Sequence, residues 1–298
     1  MATRNDYFKL HFIVFLWGFS AVIGKLVTIP AVEMVFYRAI LAVAGMAIVI
    51  AVTKGTFVVT GKDLVKLLLI GSVVAIHWMA FFGSARVSNV SVSLVGFATN
   101  SLWAALLEPW FNRTRVKKFE LLLGLVVIIG LYIIFSFDFH YKAGLLLGIL
   151  AGFTSALFSV FNSKVVRTIP AFTITFYEMI GVFLSIGLFL PFYKQLTPDH
   201  TLHLLPSLTD WLCIAVLAGV CSVYAYSVAV ELMKKISVFL LQLTLNLEPV
   251  YGIVMAVIVF KDREKMGLNF YIGTLIILSA VATYPMLKRK FGEATLKS

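Results

Sequence analysis

The chain has 298 residues, of which 61% are hydrophobic and 13% charged, with a mean hydropathy of +0.99. Roughly a quarter of a soluble domain's residues carry charge, so in water this chain would have nowhere to hide its apolar surface. The composition excludes disorder, collagen and a small disulfide scaffold, and it argues against a soluble enzyme. The net charge of +11 reads as basic cytoplasmic loops of a membrane protein, with no nucleic-acid partner implied.

Ten apolar segments follow one another, at 8–27, 31–53, 64–84, 91–111, 119–137, 143–163, 171–192, 209–230, 236–260 and 267–287. At ~20 residues per membrane-spanning helix, they use up nearly the whole chain. None alternates with the period of two that a membrane β-barrel needs. Runs such as 121–134 are apolar all round, and a backbone embedded in lipid must bond to itself. The expected fold is an all-α integral membrane protein with ten transmembrane helices. The first segment follows Arg4 and Lys9, as a signal peptide would, but it lacks a small-x-small cleavage site and is read as the first helix. Cys213 and Cys221 lie in one apolar run, roughly 12 Å apart on a helix, too far to form a disulfide. With both termini in the cytoplasm, seventeen of the 25 basic residues fall on that side and six on the other. Three of those six, Lys261, Arg263 and Lys265, crowd the ninth loop. The positive-inside rule still favours cytoplasmic termini.

An internal repeat divides the chain. Residues 29–39 match residues 169–179 at five of eleven positions, at an offset of 140. Arg86-Val87-Ser88 matches Lys235-Ile236-Ser237 at an offset of 149, and Phe111 with Phe260 and Gly124 with Gly273 keep that offset. A longer loop at 194–210 accounts for the change. Each repeat, 8–137 and 143–287, then holds five helices. An odd number places the two repeats inverted in the membrane, an arrangement typical of transporters with a binding site between the halves. Leu107-Glu108-Pro109 and Leu247-Glu248-Pro249 share a tripeptide at an offset of 140, which conflicts with the longer alignment.

Trp17-Gly18 and Lys25 in the first segment, Pro30 before the second, Arg38 within it and Leu247-Glu248-Pro249-Val250 in the ninth together make the chain resemble the drug/metabolite transporter superfamily, in its EamA branch. The resemblance covers about residues 8–287. It implies secondary transport, often export of amino acids or other small metabolites across the inner membrane. Fold alone does not name a substrate.

Ionisable groups inside a membrane span are costly and so are functional candidates. Arg38 and Glu178 hold equivalent positions in the two repeats. Arg38 is expected to face a substrate carboxylate, and Glu178 an amine or a proton. The alternative for Arg38 is a structural contact, with Glu33 or with a backbone carbonyl. Glu248, beside Asn246 and before the kink-permitting Pro249, is a candidate proton carrier or else a helix contact. His77 lies inside the third segment beside Trp78 and reads as a helix contact or as a cavity-lining group. Tyr37, Tyr177, Tyr226, Trp103, Asn100, Gln242 and Asn246 complete the candidate substrate-binding set. Lys25 is expected to pair with Glu33. Gly144, Gly148 and Gly152 form a small-residue stripe suited to close helix packing.

The sequence contains no GxxxxGK[ST] loop, HExxH, Cys/His cluster or nucleophile elbow. No cofactor, metal or built-in ATP motor is expected, and the chain is not expected to be an enzyme. The expected partners are a small-molecule substrate and membrane lipid, with coupling to a proton or cation gradient. Uptake instead of export is the nearest alternative. More distant ones are a passive channel and a membrane-embedded enzyme acting on lipid-linked substrates.

Overall fold

The structure, a computed structural model, describes residues 2–135, 141–261 and 267–291. Arg263, Lys265 and Lys297, counted above in the charge balance, lie outside the described residues, as does the end of the fifth expected segment at 136–137. Each apolar segment falls on one helical rod: α1 (Arg4–Leu26), α2 (Ala31–Val52), α3 (Gly61–Val87), α4 (Val90–Asn112), α5 (Lys118–Phe135), α6 (Lys142–Val165), α7 (Ala171–Leu196), α8 (Leu208–Leu232), α9 (Val238–Phe260) and α10 (Leu268–Phe291). No strand occurs among the described residues. Eight of the rods, all but α5 and α10, are long and apolar enough among the described residues to cross a membrane. The chain is therefore a multi-pass membrane protein.

Local chemistry starts equivalent helices in the same way. Pro30 and Pro170 precede α2 and α7, where a missing N–H and a fixed φ do no harm. The Thr60 and Ser207 hydroxyls cap α3 and α8 by accepting from the N–H of Asp63 and Asp210. Asn89 and Ser237 cap α4 and α9 by accepting from Val92 and Leu240. These pairs of caps are 140, 147 and 148 residues apart. A π-helical stretch in α8, Leu217–Tyr226, accounts for the step from 147 to 148, because a π turn takes in an extra residue.

These caps correct the register read from sequence. In α4 and α9 the offset is 148, one less than the match of Arg86 with Lys235 implied. Both helices break after eight residues, at 98–99 and at 246–247. Glu248 opens the second half of α9 where Asn100 opens that of α4, and Glu108 corresponds to Ala256. The two Leu-Glu-Pro tripeptides do not superpose.

Most of the spans have 33–56% of their apolar window buried, but α4 has 83%, so α4 runs through the centre. The glycine stripe of α6 permits this. A Cβ on Gly148 would stand 3.0 Å from the Gly96 Cα and 3.1 Å from the Ser93 carbonyl oxygen, both on α4. Gly152 faces Thr99 at the break of α4, and Gly144 faces Ser88. A second close crossing pairs Gly71 of α3 with Gly181 of α7.

Helices α2 and α7 lie antiparallel. The start of α2 meets the loop after α7, where the Tyr37 hydroxyl donates to the Leu204 carbonyl (2.6 Å) and Glu33 accepts from the His203 N–H (3.2 Å). The start of α7 meets the loop after α2, where Tyr177 donates to the Phe57 carbonyl (2.7 Å) and Thr173 to the Thr56 carbonyl (2.6 Å). The equivalent tyrosines thus tie down equivalent loops. Lys25 does not pair with Glu33; it donates to the Ala85 carbonyl at the end of α3.

Glu108 joins the repeats at another point. Its two carboxylate oxygens accept from the N–H groups of Val238 (3.1 Å) and Phe239 (2.8 Å), so a side chain from α4 caps α9. Glu108→Ala is expected to lower stability by about 1–2 kcal/mol. Glu108→Gln should recover part of that loss, because an amide still offers one acceptor. Thermal unfolding of the purified protein in detergent tests both; equal melting of Glu108→Ala and wild type would refute the capping role.

Candidate functional site

The centre of the bundle encloses a cavity walled by α1, α2, α3, α4, α6, α8 and α9, so both repeats contribute. It leaves about 60 Å³ open to the centres of water molecules, room for roughly four to six waters. Its wall is mostly apolar and rich in aromatic rings, and five of the residues expected from sequence line it: Arg38, His77, Trp78, Tyr226 and Glu248.

Arg38 is buried on α2 with its guanidinium 3.8 Å above the Trp78 ring centre and 5.5 Å from that of Phe82. Its Nε donates to the Ser222 hydroxyl (2.9 Å), which in turn donates to the Leu217 carbonyl (3.1 Å) within the π-helical stretch. The contact expected between Arg38 and Glu33 is not made, because Glu33 faces the loop at the start of α2. Among the described residues no carboxylate pairs with Arg38, and its terminal guanidinium nitrogens have no hydrogen-bond partner. The aromatic faces supply cation–π stabilisation and leave the fork of donors free for a planar anion.

Glu248 is buried in α9, where it lines the cavity, and its carboxylate has no hydrogen-bond or ion-pair partner among the described residues. The break in α9 brings it there. The crossing with α1 is tight: Gly18 packs against Tyr251, and a Cβ on Gly252 would stand 2.7 Å from the Gly18 carbonyl oxygen. Pro249 has no N–H to offer the Leu245 carbonyl four residues back, and Leu245 also lines the cavity.

His77 lines the wall, but it is also a helix contact. Its Nδ1 lies 2.8 Å from the Ala151 carbonyl of α6. A carbonyl can only accept, so the proton is assigned to Nδ1.

Two expected residues lie one layer behind the wall. Glu178 accepts from the Tyr226 hydroxyl (2.7 Å) and the Asn162 amide (3.3 Å), and it does not open onto the cavity. Gln242 donates to the Ser155 carbonyl (3.0 Å) and the Ser159 hydroxyl (2.8 Å), holding those two lining residues in place.

The remaining five expected residues are elsewhere. Tyr37 and Tyr177 hold loops. Asn246 donates to the Ser101 hydroxyl (2.9 Å) across the breaks of α4 and α9. Asn100 and Trp103 are at the same level of α4; the Asn100 amide and the Trp103 indole N–H are buried without a partner among the described residues. Sequence reasoning missed several lining groups, namely Trp17, Ser20, Phe97, Phe158 and Cys221. Trp17 carried a usable signal in the motif of the first segment. It anchors α1 to the π stretch by donating to the Cys221 carbonyl (3.0 Å).

A membrane-embedded helical bundle with two equivalent halves around a small central cavity is the architecture that a transport protein needs. The model of the EamA-like transporter family matches residues 8–136 and 142–284. The chain belongs to that family, a family of transporters. A solved structure titled only "Crystal structure of protein" is similar in fold, with a TM-score of 0.72 at 15% identity, covering 97% of this chain and 99% of that one. No curated protein sequence matches the chain.

Tyr226→Phe removes the hydroxyl between Glu178 and the cavity. Losing its bond to the buried Glu178 carboxyl, together with the one it accepts from the Asn162 amide (3.0 Å), is expected to cost about 1–3 kcal/mol. The check is thermal unfolding, with Phe158→Leu, which touches the same ring without touching Glu178, as the packing control.

Proposed function

We propose that the protein is a secondary transporter of small metabolites, exporting amino acids or related compounds by alternating access around the central cavity. In this reading it has ten membrane helices in two five-helix repeats, 8–137 and 143–287, inverted with respect to each other. It lies in the inner membrane with both termini in the cytoplasm. The antiparallel packing of α2 and α7 supports the inversion, and the distribution of Lys and Arg supports the orientation.

The observation that carries the proposal is the pair of unpartnered ionisable groups of opposite type, Arg38 and Glu248, that line one cavity. A zwitterion meets both needs. Its carboxylate takes the guanidinium fork of Arg38, and its ammonium takes the Glu248 carboxylate and the Leu245 carbonyl. An apolar or aromatic side chain packs among Trp78, Phe82 and Phe97. Charges desolvated in this way give specificity, because a solute lacking either group leaves a buried partner unpaired. We assign proton exchange to Glu248, which lines the cavity, and to Glu178, one layer behind it, so a proton gradient is the proposed energy source.

The test is reconstitution in liposomes with labelled neutral amino acids, nucleosides and cationic drugs, with and without a pH gradient. Saturable transport of an amino acid is expected, and nonsaturable flux or lipid turnover alone overturns the reading. Arg38→Gln and Glu248→Gln should each lower transport roughly a hundredfold, the order expected when a buried charged partner is left unmatched, at normal yield of folded protein. Loss of yield in step with transport would assign Arg38 a structural role. Proton-gradient stimulation that persists in Glu248→Gln removes that residue as the proton carrier.

A further inference from the structure

The two ends of the bundle are made of equivalent parts that are in different states. At one end, Asp210 at the start of α8 is fully buried. Its carboxylate accepts from the Thr28 N–H (2.6 Å) and the Thr28 hydroxyl (2.7 Å), locking α8 to the α1–α2 loop. At the same end Arg86 donates to the Val27 and Ile29 carbonyls, 2.7 Å each, and closes the same loop onto α3.

The repeat supplies a counterpart for each of these groups at the other end. Thr168 is 140 residues beyond Thr28, and both precede Ile-Pro-Ala. Asp63 is 147 residues before Asp210, and each is the third residue of its helix, behind a hydroxyl cap. Yet Asp63 is 29% exposed and spends its oxygens on its own helix, accepting from Thr60 (2.8 Å) and Lys66 (3.2 Å). The Thr168 hydroxyl turns back to the Val165 carbonyl (3.2 Å). An opening of about 460 Å³ lies between α3 and α6 and is lined by both residues.

The second contact is broken in the same way. Lys234 and Lys235 stand where Arg86 stands, and the counterparts of its target carbonyls are at 167 and 169. Instead, Lys235 pairs with Asp6 (2.9 Å), and an opening of about 390 Å³ lies between the two lysines and Arg167. Met233 lines both this opening and the central cavity.

We propose that Asp63 and Thr168 form the second gate of the protein. In the alternate state the Asp63 carboxylate accepts from the Thr168 N–H and hydroxyl, as Asp210 now does from Thr28, while the Thr28–Asp210 lock parts. The proposal rests on the transport reading, since only a protein that opens to each face in turn uses two equivalent locks one at a time.

Cys221, on the cavity wall, is a native reporter. In a Cys213→Ser background, vesicles of both orientations are treated with a membrane-impermeant methanethiosulfonate. Asp63→Asn and Thr168→Val remove the lock that forms in the alternate state. Each should lower labelling of Cys221 from the Asp210 face roughly tenfold relative to labelling from the Asp63 face, the shift expected from one charge-assisted hydrogen bond. Asp210→Asn should raise it. Unchanged ratios in folded Asp63→Asn and Thr168→Val overturn the gate. Where a variant does not fold, the paired variant Asp63→Cys, Thr168→Cys, without the native cysteines, decides. An oxidant-induced cross-link in membranes supports the approach, because a disulfide needs Cα atoms within roughly 7 Å, and its absence overturns the gate. Neither readout needs a substrate. Saturable transport with unmoved labelling overturns the gate alone, and moved labelling with no solute carried overturns the transport reading alone.

Discussion

A permanent cation held at the centre of an apolar bundle, with no counter-anion among the described residues, is the constraint around which the structure is arranged. Burying an unpaired guanidinium costs several kcal/mol even after relaxation, and it cannot escape by losing its proton. Arg38 meets that cost with the face of Trp78, the edge of the wall at Phe82 and one hydrogen bond to Ser222. None of these is an anion. A pairing with Glu33 would have been cheaper and would have closed the site. Glu33 is instead drawn away to the His203 N–H.

The helices that deliver the cavity wall are irregular where they reach it. The π stretch of α8 re-aims Cys221, Ser222 and Tyr226 toward the centre, and such stretches mark functional positions. The break in α9 presents Glu248 at the head of a half-helix. Departures from regular helix inside a membrane persist only where protein or a cavity satisfies the backbone. The glycines of α6, and Gly18 and Gly252 at the α1–α9 crossing, let the backbones come close enough to enclose so small a volume. Straight helices with larger side chains at these crossings would leave the charges either solvated or crushed.

Much of this was legible in the sequence. The ten apolar runs mark the helical rods to within a few residues, because hydropathy over a span is a strong, local signal. Arg38, Trp78, His77, Tyr226 and Glu248 were identifiable as polar or amphipathic groups within spans. Which face of a helix they occupy was not, because a lipid-embedded helix is apolar all round and carries no amphipathic stripe to orient it. For that reason Tyr37 and Tyr177, near helix starts, looked like cavity groups although their hydroxyls reach loops. The one-residue error in the repeat register came from matching similar side chains, Ser88 with Ser237, where the structure makes Asn89 and Ser237 the equivalent caps. The same error hid the correspondence of Glu248 with Asn100. Glu108 left no sequence signal at all, since its partners are backbone N–H groups 130 residues away.

With the register corrected, a further equivalence appears. Arg38 corresponds to Glu178 and, beyond the π stretch, Trp78 corresponds to Tyr226. Each half therefore packs a charged residue of its second helix against an aromatic residue of its third: Arg38 on the Trp78 face, Glu178 on the Tyr226 hydroxyl. The chemistry has diverged at each member of the pair while the geometry has been kept. A ring face cannot satisfy a carboxylate and a phenol hydroxyl can; a guanidinium is held by either kind of contact. The divergence makes the cavity electrically polar, with the cation on its wall and the equivalent acid sealed behind a tyrosine. The bundle's two ends, built from one plan but locked at only one, and its two charged pairs, built from one plan but open at only one, thus break the same symmetry at the periphery and at the centre. The proposed exchange of the peripheral locks moves α3 and α8 at their starts, and these are the helices that carry Trp78 and Tyr226. Helices that shift as rigid rods in that exchange would carry with them the aromatic residues that hold Arg38 and Glu178, which would link access to the cavity with the environment of its charges.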